Sequence, residues 1–373
     1  MFLFPLSCCA GEGDTGGEGF EIASNRLTVH SKRRWLEVRE RKMERIGVTF
    51  SAGLNPPEVV ECVRLAEELG YESAWVAEGH GGDQFATLTA CALATRRILL
   101  GTSISSVFVR SAPTIAMAAA TVDHFSNGRF ILGLGPSHKV QVEPEHGLVF
   151  SQPIQRVREC VEVVRRLLRD GDVSYKGSII NIERFDFWFT PLRKEIPIYL
   201  SAVFPKMLQV CGEIAQGALL TWCTQEHARS AAEYVAQGAR QAGRNPQEVD
   251  VATLLPCAVS SNRDEALDMM RGPLASYAGK FPRYRRLMAE AGFPAEVEAV
   301  RQAWEAGDQA RALRLVPAGL INKITIAGRP EECREWIQAY RQAGITLPIV
   351  SPRVAGSDAK KHTMEAIRAC APR

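Results

Sequence analysis

The stretch that most limits what this chain can fold into is Ile98–His138, ILLGTSISSVFVRSAPTIAMAAATVDHFSNGRFILGLGPSH. Ile98 to Ile104 is an apolar run of strand length. Ser111 and Pro113 open a helix, Ser126-Asn127-Gly128 is a turn, and Phe130 to Leu134 is a second apolar run. Strand, helix and parallel strand in so short a span make one βαβ unit, and strands with no polar alternation require helices over both sheet faces. Both strand ends, Ser103–Ser106 and Gly133–His138, are small, polar or glycine-rich. Ligands in parallel α/β proteins sit at the carboxyl ends of strands, so chemistry is expected at these two places.

The same alternation extends on both sides. Ile46–Ser51 and Ser73–Ala77 read as strands one and two, with helices at 57–70 and 84–95. After the central unit comes a helix at 152–169, with Ile154, Val157, Val161, Val164 and Leu168 at helical spacing. An aromatic, strand-like insertion follows at 173–195. Strands five to eight fall at 197–202, 218–222, 249–259 and 347–351, with a long helical excursion at 264–344. Eight strands alternating with helices predict an α/β (β/α)8 TIM barrel with excursions after strands 4 and 7. A doubly wound open sheet is the alternative, and strand one is not followed by the GxGxxG of its commonest form.

Barrel pattern begins abruptly at Ile46, so residues 43–373 are expected to form a single domain and residues 1–42 an extension outside the fold. The apolar start, MFLFPLSCC, lacks the basic flank and length of a signal peptide. The basic stretch from Arg26 to Arg45 reads either as a nucleic-acid arm or as part of that extension, and the second fits the abrupt onset of the barrel better.

Near-balanced charge, 45 Lys and Arg against 42 Asp and Glu, gives no argument for nucleic acid. No apolar run reaches the length of a membrane span. Ten cysteines without a CxxC pair read as small apolar residues in a reducing cytoplasm, and no His/Cys cluster has metal-ligand spacing. P-loop, zincin and nucleophile-elbow motifs are absent. His80, His138 and His146 fall in loops after strands two and four, at the expected mouth of the barrel.

GTSISSVFVRSAP, TVDHFSNGRFILGLGPSH, YLSAVFPKMLQVCGEIAQGALLTW and ITIAGRPEECREWIQAYRQAGI resemble, in that order, motifs of the luciferase-like flavin-dependent oxidoreductases. The chain is most similar to the branch that uses the 8-hydroxy-5-deazaflavin coenzyme (F-420), including methylenetetrahydromethanopterin reductase-like proteins. The resemblance implies a barrel holding a flavin or deazaflavin at its carboxyl face. It implies a non-proline cis peptide at Ser103-Ile104 against which the ring rests, and a cofactor-binding Ser51. It also places the phosphate on Ser201-Ala202-Val203-Phe204-Pro205-Lys206, where a helix N-terminus and a lysine favour an anion. The competing reading of these residues is an ordinary βα turn with proline at the first helical position. Gly135-Pro136-Ser137 would let the backbone approach the cofactor, and Trp222 would offer a flat wall for its ring or else be core.

The acid/base group does not carry over from the resemblance. Several relatives place a histidine directly after an acidic residue at the end of strand two, whereas here Glu78-Gly79 precedes His80. In some deazaflavin-dependent dehydrogenases a carboxylate follows the strand-four glycines, where this chain has His138. The expectation is that Glu78 and His80 act as a neighbouring catalytic pair, with His138 nearer the cofactor. Phe185, Phe187, Trp188 and Phe189 form either an apolar lid or a hairpin on the barrel. Pro282–Arg286 either meets an acidic ligand or is a solvated helix face. The resulting reading is hydride transfer between F-420 and a small organic molecule, with a homodimer as the partner state. The alternatives are a reduced-FMN monooxygenase served by a separate reductase, or a flavin-binding barrel without turnover. No metal, nucleic acid or membrane is expected.

Overall fold

A computed structural model describes residues 44–353 and 358–372; the expected extension at 1–42 lies outside the described residues. In chain order the strands are β1 (Gly47–Phe50), β2 (Ser73–Val76), β3 (Leu99–Thr102), β4 (Ser105–Ser106), β5 (Phe130–Gly135) and β6 (Asp172–Lys176). Then come β7 (Asn181–Asp186), β8 (Ile198–Ser201), β9 (Gly217–Thr221), β10 (Asp250–Val259), β11 (Ile326–Gly328) and β12 (Leu347–Pro352). Parallel pairing runs β1-β2-β3-β5-β8-β9-β10-β12 and returns to β1, so eight strands close a (β/α)8 barrel and the open-sheet alternative falls away.

Helices on the outside start where the sequence supplies caps. In α1 (Pro56–Glu68), Asn55 and Glu58 cap each other's backbone; α2 (Gln84–Ala94) is capped by Asp83 and α3 (Ala112–Phe125) by Ser111. Next are α4 (Lys139–His146), α5 (Pro153–Asp170), α6 (Pro205–Ile214) and α7 (Gln225–Gln241). The excursion after β10 breaks into α8 (Arg263–Lys280), α9 (Pro282–Glu290), α10 (Pro294–Glu305), α11 (Gln309–Leu315) and α12 (Ala318–Ile324). It also contains β11, a short strand that the sequence reading missed, paired with the end of β10. The series ends with α13 (Pro330–Gln342) and α14 (Ala359–Ala369).

The barrel interior is filled by Trp75, Ile131, Tyr199, Leu219, Leu347 and Ile349, with the Trp75 and Tyr199 rings 5.4 Å apart. Gly101 makes room for that tryptophan, because a Cβ there would lie 2.3 Å from its ring. At the end where the strands begin, Arg45 donates to Glu72 at 2.7 Å and to Asp250 at 2.7 Å, while Tyr199 donates to Asp250. On the outside, the VDHFSNGRF motif proves structural. Asp123 takes a bidentate, buried contact from Arg193, and Arg129 donates to the carbonyls of Ile98, Ala92 and Thr95.

Two expectations need correction and one pair of alternatives is decided. Strand three does not run through Ile104: it stops at Thr102, for reasons given below. The 264–344 excursion is not purely helical. Of the two readings of the aromatic insertion, the hairpin holds and the lid does not: α5 carries the chain back toward the strand-start end before β6 and β7 pair antiparallel. The loop of that hairpin is held by Glu159 of α5, whose carboxylate accepts the N–H groups of Ser178, Ile179 and Ile180. Phe185 and Phe187 pack on the core, while Trp188 is 93% exposed.

Candidate active site

At the strand-exit end of the barrel, β3 gives way to a bulge. Gly101 pairs with Ile131 and Ser105 with Leu134, so four residues advance on one strand against three on the other. The extra residue falls at Ser103-Ile104, and this peptide is cis. Surrounding groups hold it: the Ser103 hydroxyl meets the Thr49 hydroxyl at 2.8 Å, Ser103 N–H donates to Val76 O, and Glu78 N–H donates to Ile104 O.

The Glu78 side chain grips the far side of the bulge. One oxygen accepts the Ser106 N–H at 2.7 Å and the other accepts Arg110 Nε at 2.5 Å. Arg110 continues to Asp83, the cap of α2. The expected Glu78–His80 pair therefore does not form. His80 points outward, with 82% of its side chain exposed, and bonds Glu145 of α4. Glu78 had already been engaged by a cation and a backbone donor, neither of them adjacent in sequence.

His138 takes the opposite course. Its ring lies against Phe281 at 4.9 Å and Tyr284 at 5.0 Å, both from the excursion. Burial, with nearby Arg283 adding to it, pushes the imidazole down to about 4, so it is neutral at physiological pH. The aromatic series continues through Tyr277 to Trp222, 4.7 Å apart, and roofs the mouth from β5 to β9. Of the two readings of Trp222, wall or core, the structure favours core. It is 1% exposed, with Tyr277 on it and Arg353 5.5 Å from its ring, and it belongs to the apolar cluster of α8–α12. Pro282–Arg286 forms the start of helix α9, with Pro282 and Arg286 exposed and Arg283, Tyr284 and Arg285 half-buried.

Gly135 serves packing more directly than expected. A Cβ there would lie 2.1 Å from Ser201 Oγ and 3.0 Å from Ile104, so glycine lets the bulge and the end of β8 sit side by side. Pro136 and Ser137 lead from it to α4, Ser137 with a left-handed φ of 58°. Beyond Ser201, Ala202 and Val203 lead into α6, which has Phe204 as its N-cap residue and therefore no side-chain acceptor for its first N–H groups. Pro205 begins the helix and Lys206 is exposed beside it. Ser51, at the end of β1, accepts Arg353 Nη1 at 2.8 Å. Several buried polar atoms at the strand exits lack any partner among the described residues: Ser105 Oγ, Thr221 Oγ1, Trp222 Nε1, Ser351 Oγ and Arg353 Nε. Orphans gathered at one end of a barrel fit a polar ligand there.

The model of one family, described as luciferase-like monooxygenase, matches residues 43–347. The chain belongs to this family. It is 30% identical over 321 residues to 5,10-methylenetetrahydromethanopterin reductase of Archaeoglobus fulgidus, covering 85% of this chain and 96% of that one. An F-420-dependent glucose-6-phosphate dehydrogenase of Amycolatopsis mediterranei is 27% identical over 61% of this chain and 70% of its own length. Among solved structures, the F-420-dependent tetrahydromethanopterin reductase of Methanopyrus kandleri superposes with a TM-score of 0.77 at 26% identity, covering 87% of this chain and 97% of that one. Members of the luciferase-like family are enzymes, and the closed barrel is the fold shared with these relatives. Among the described residues, no helix is long and apolar enough to cross a membrane.

Proposed function

We propose that this chain is an oxidoreductase that moves a hydride between F-420 and a small organic substrate at the strand-exit mouth. The observation that carries the reading is the contact through Gly135: it sets the Ser103-Ile104 bulge against Ser201, directly before an uncapped helix N-terminus with Lys206 beside it. One elongated ligand with a planar ring at one end and a phosphate at the other suits that arrangement, and the names of the relatives supply F-420 as that ligand.

In this reading Ser103 and Ile104 support the ring, with Ser51, Pro136 and Ser137 at its margin. The N–H groups of α6 and Lys206 hold the phosphate. The deazaflavin supplies the hydride-accepting carbon when bound. His138, neutral and walled by aromatic rings, faces the mouth as a hydrogen-bonding partner for a substrate hydroxyl or carbonyl rather than as a cation. The roof of Phe281, Tyr284 and Tyr277 excludes water from the reacting atoms. The working unit is residues 43–373, in the cytoplasm. It pairs with a second copy through exposed Leu93 of α2 and Met117 and Phe125 of α3, which light scattering would test.

The test is titration of the purified protein with F-420 and with FMN, followed by fluorescence. Tight binding of F-420 with weak binding of FMN supports the reading. The reverse points to a monooxygenase drawing reduced FMN from a separate reductase, and binding of neither refutes both.

A further inference from the structure

Arg353 stands just beyond β12, at the strand-exit end of the barrel. Its Nη1 is fixed on Ser51 Oγ, and its guanidinium lies 5.5 Å from the Trp222 ring and 5.6 Å from that of Tyr277. Two aromatic faces and a hydroxyl orient a cation but do not neutralise it. No carboxylate among the described residues lies within ion-pair distance of Arg353, its Nε is buried without a partner, and Nη2 makes no hydrogen bond.

Nε and Nη2 together form the edge of the guanidinium that grips a carboxylate with two parallel bonds. Elsewhere in this molecule that same edge is filled: Arg45 uses it on Glu72, Arg193 on Asp123 and Arg169 on Asp170. At Arg353 it has no partner among the described residues, in a place where leaving a cation half-buried is costly. Two further orphans line the same end of the barrel. Ser351 lies two residues earlier on β12, hence on the same strand face, and Trp222 offers only a donor at Nε1. All of these groups can donate, and together they call for an acceptor that carries negative charge.

We propose that Arg353 receives an oxyanion of the substrate, a carboxylate or a phosphate, through its Nε–Nη2 edge. This rests on the mouth being the hydride-transfer site. It assigns the substrate to the class of small organic acids or phosphate esters, with the reacting carbon held under the aromatic roof. The phosphate of the coenzyme is separately provided for at α6, on the far side of Gly135.

The experiment compares wild type with Arg353→Gln and Arg353→Lys, using succinate and inorganic phosphate as probe anions at matched ionic strength. Probe binding is read as a shift in Tm with F-420 present, F-420 affinity by fluorescence, and folding by circular dichroism. Losing a two-bond contact to an oxyanion should weaken at least one probe about 10- to 100-fold in Arg353→Gln, with F-420 affinity kept within about twofold. Arg353→Lys, which keeps the charge without the fork, should fall between and covers the case in which Gln does not fold. Wild type that responds to neither probe overturns the proposal. So does a variant that loses F-420 affinity while its probe response persists, since the anion would then be the coenzyme's own. If wild type fails to bind F-420, the hydride-transfer reading fails by itself, and loss of probe binding by the Arg353→Gln apoprotein still supports the anion site.

Discussion

Replacing Glu78 by Gln separates a residue that shapes the mouth from one that moves a proton. The carboxylate holds Ser106 N–H at 2.7 Å and Arg110 Nε at 2.5 Å. An amide of the same shape keeps one acceptor and turns its NH2 toward a donor, so one of the two contacts becomes repulsive. A hydrogen bond to a charged group contributes about 1.5–3 kcal/mol, and with Glu78 only 18% exposed the net loss is put at about 2 kcal/mol. For a barrel of this size that lowers Tm by roughly 3 °C. The bulge is also where the ring is expected to rest, and its loosening should weaken F-420 roughly tenfold, since about 1.4 kcal/mol is a factor of ten. Thermal denaturation and fluorescence titration measure both effects without a known substrate. If Tm moves by less than about 1 °C and F-420 affinity is unchanged, the clamp is not what Glu78 provides. A loss of turnover of 10²-fold or more in such a variant would restore it as an acid/base group.

Other perturbations follow from the same geometry. Lys206→Glu places a negative charge at the uncapped start of α6 and should weaken F-420 at least about tenfold, more so at low salt, with the circular dichroism spectrum intact. Asp123→Ala leaves Arg193 buried and unpaired, which should cost about 3–5 kcal/mol in urea denaturation with little effect on coenzyme affinity once folded. Burial alone would raise Glu159, but the Ser178 hydroxyl, Gln155 and backbone N–H groups outweigh it and hold the carboxyl at about 2 instead of 4.5. Its stabilisation is therefore complete above pH 4.5 and lost as pH falls from 4.5 toward 2, so Glu159→Gln should flatten the decline of Tm in that window.

The barrel could be read from sequence because its signals are local. Apolar runs such as Phe130–Leu134 and caps such as Asn55-x-x-Glu58 or Ser111 act within a few residues of the element they start. The helix start at Pro205 was legible for the same reason, whereas the bulge at Ser103-Ile104 was legible only through the resemblance to the luciferase-like family. The acid/base pairing was not. Whether Glu78 meets His80 or Arg110 is decided by a partner 32 residues away and by how two strands register. Which of its two readings holds for Trp222 was not legible, because its cover comes from Tyr277, 55 residues on in an excursion whose docking no periodicity reveals. That Arg353 has no partner on this edge among the described residues is likewise invisible in sequence, since a missing partner shows only in three dimensions.

The single extra residue at Ser103-Ile104 has an evolutionary side. Side chains along a strand alternate, so one additional residue reverses which of the following positions look into the barrel and which look out. Ser105 and Ser106 thus face opposite ways from those an unbroken β3 would give them, while every position before Gly101 is untouched. A one-codon deletion at this point would exchange inside for outside over a handful of positions at the rim and leave the scaffold standing. Lineages built on this barrel could in this way change what the rim displays in one event, which no single substitution there can do.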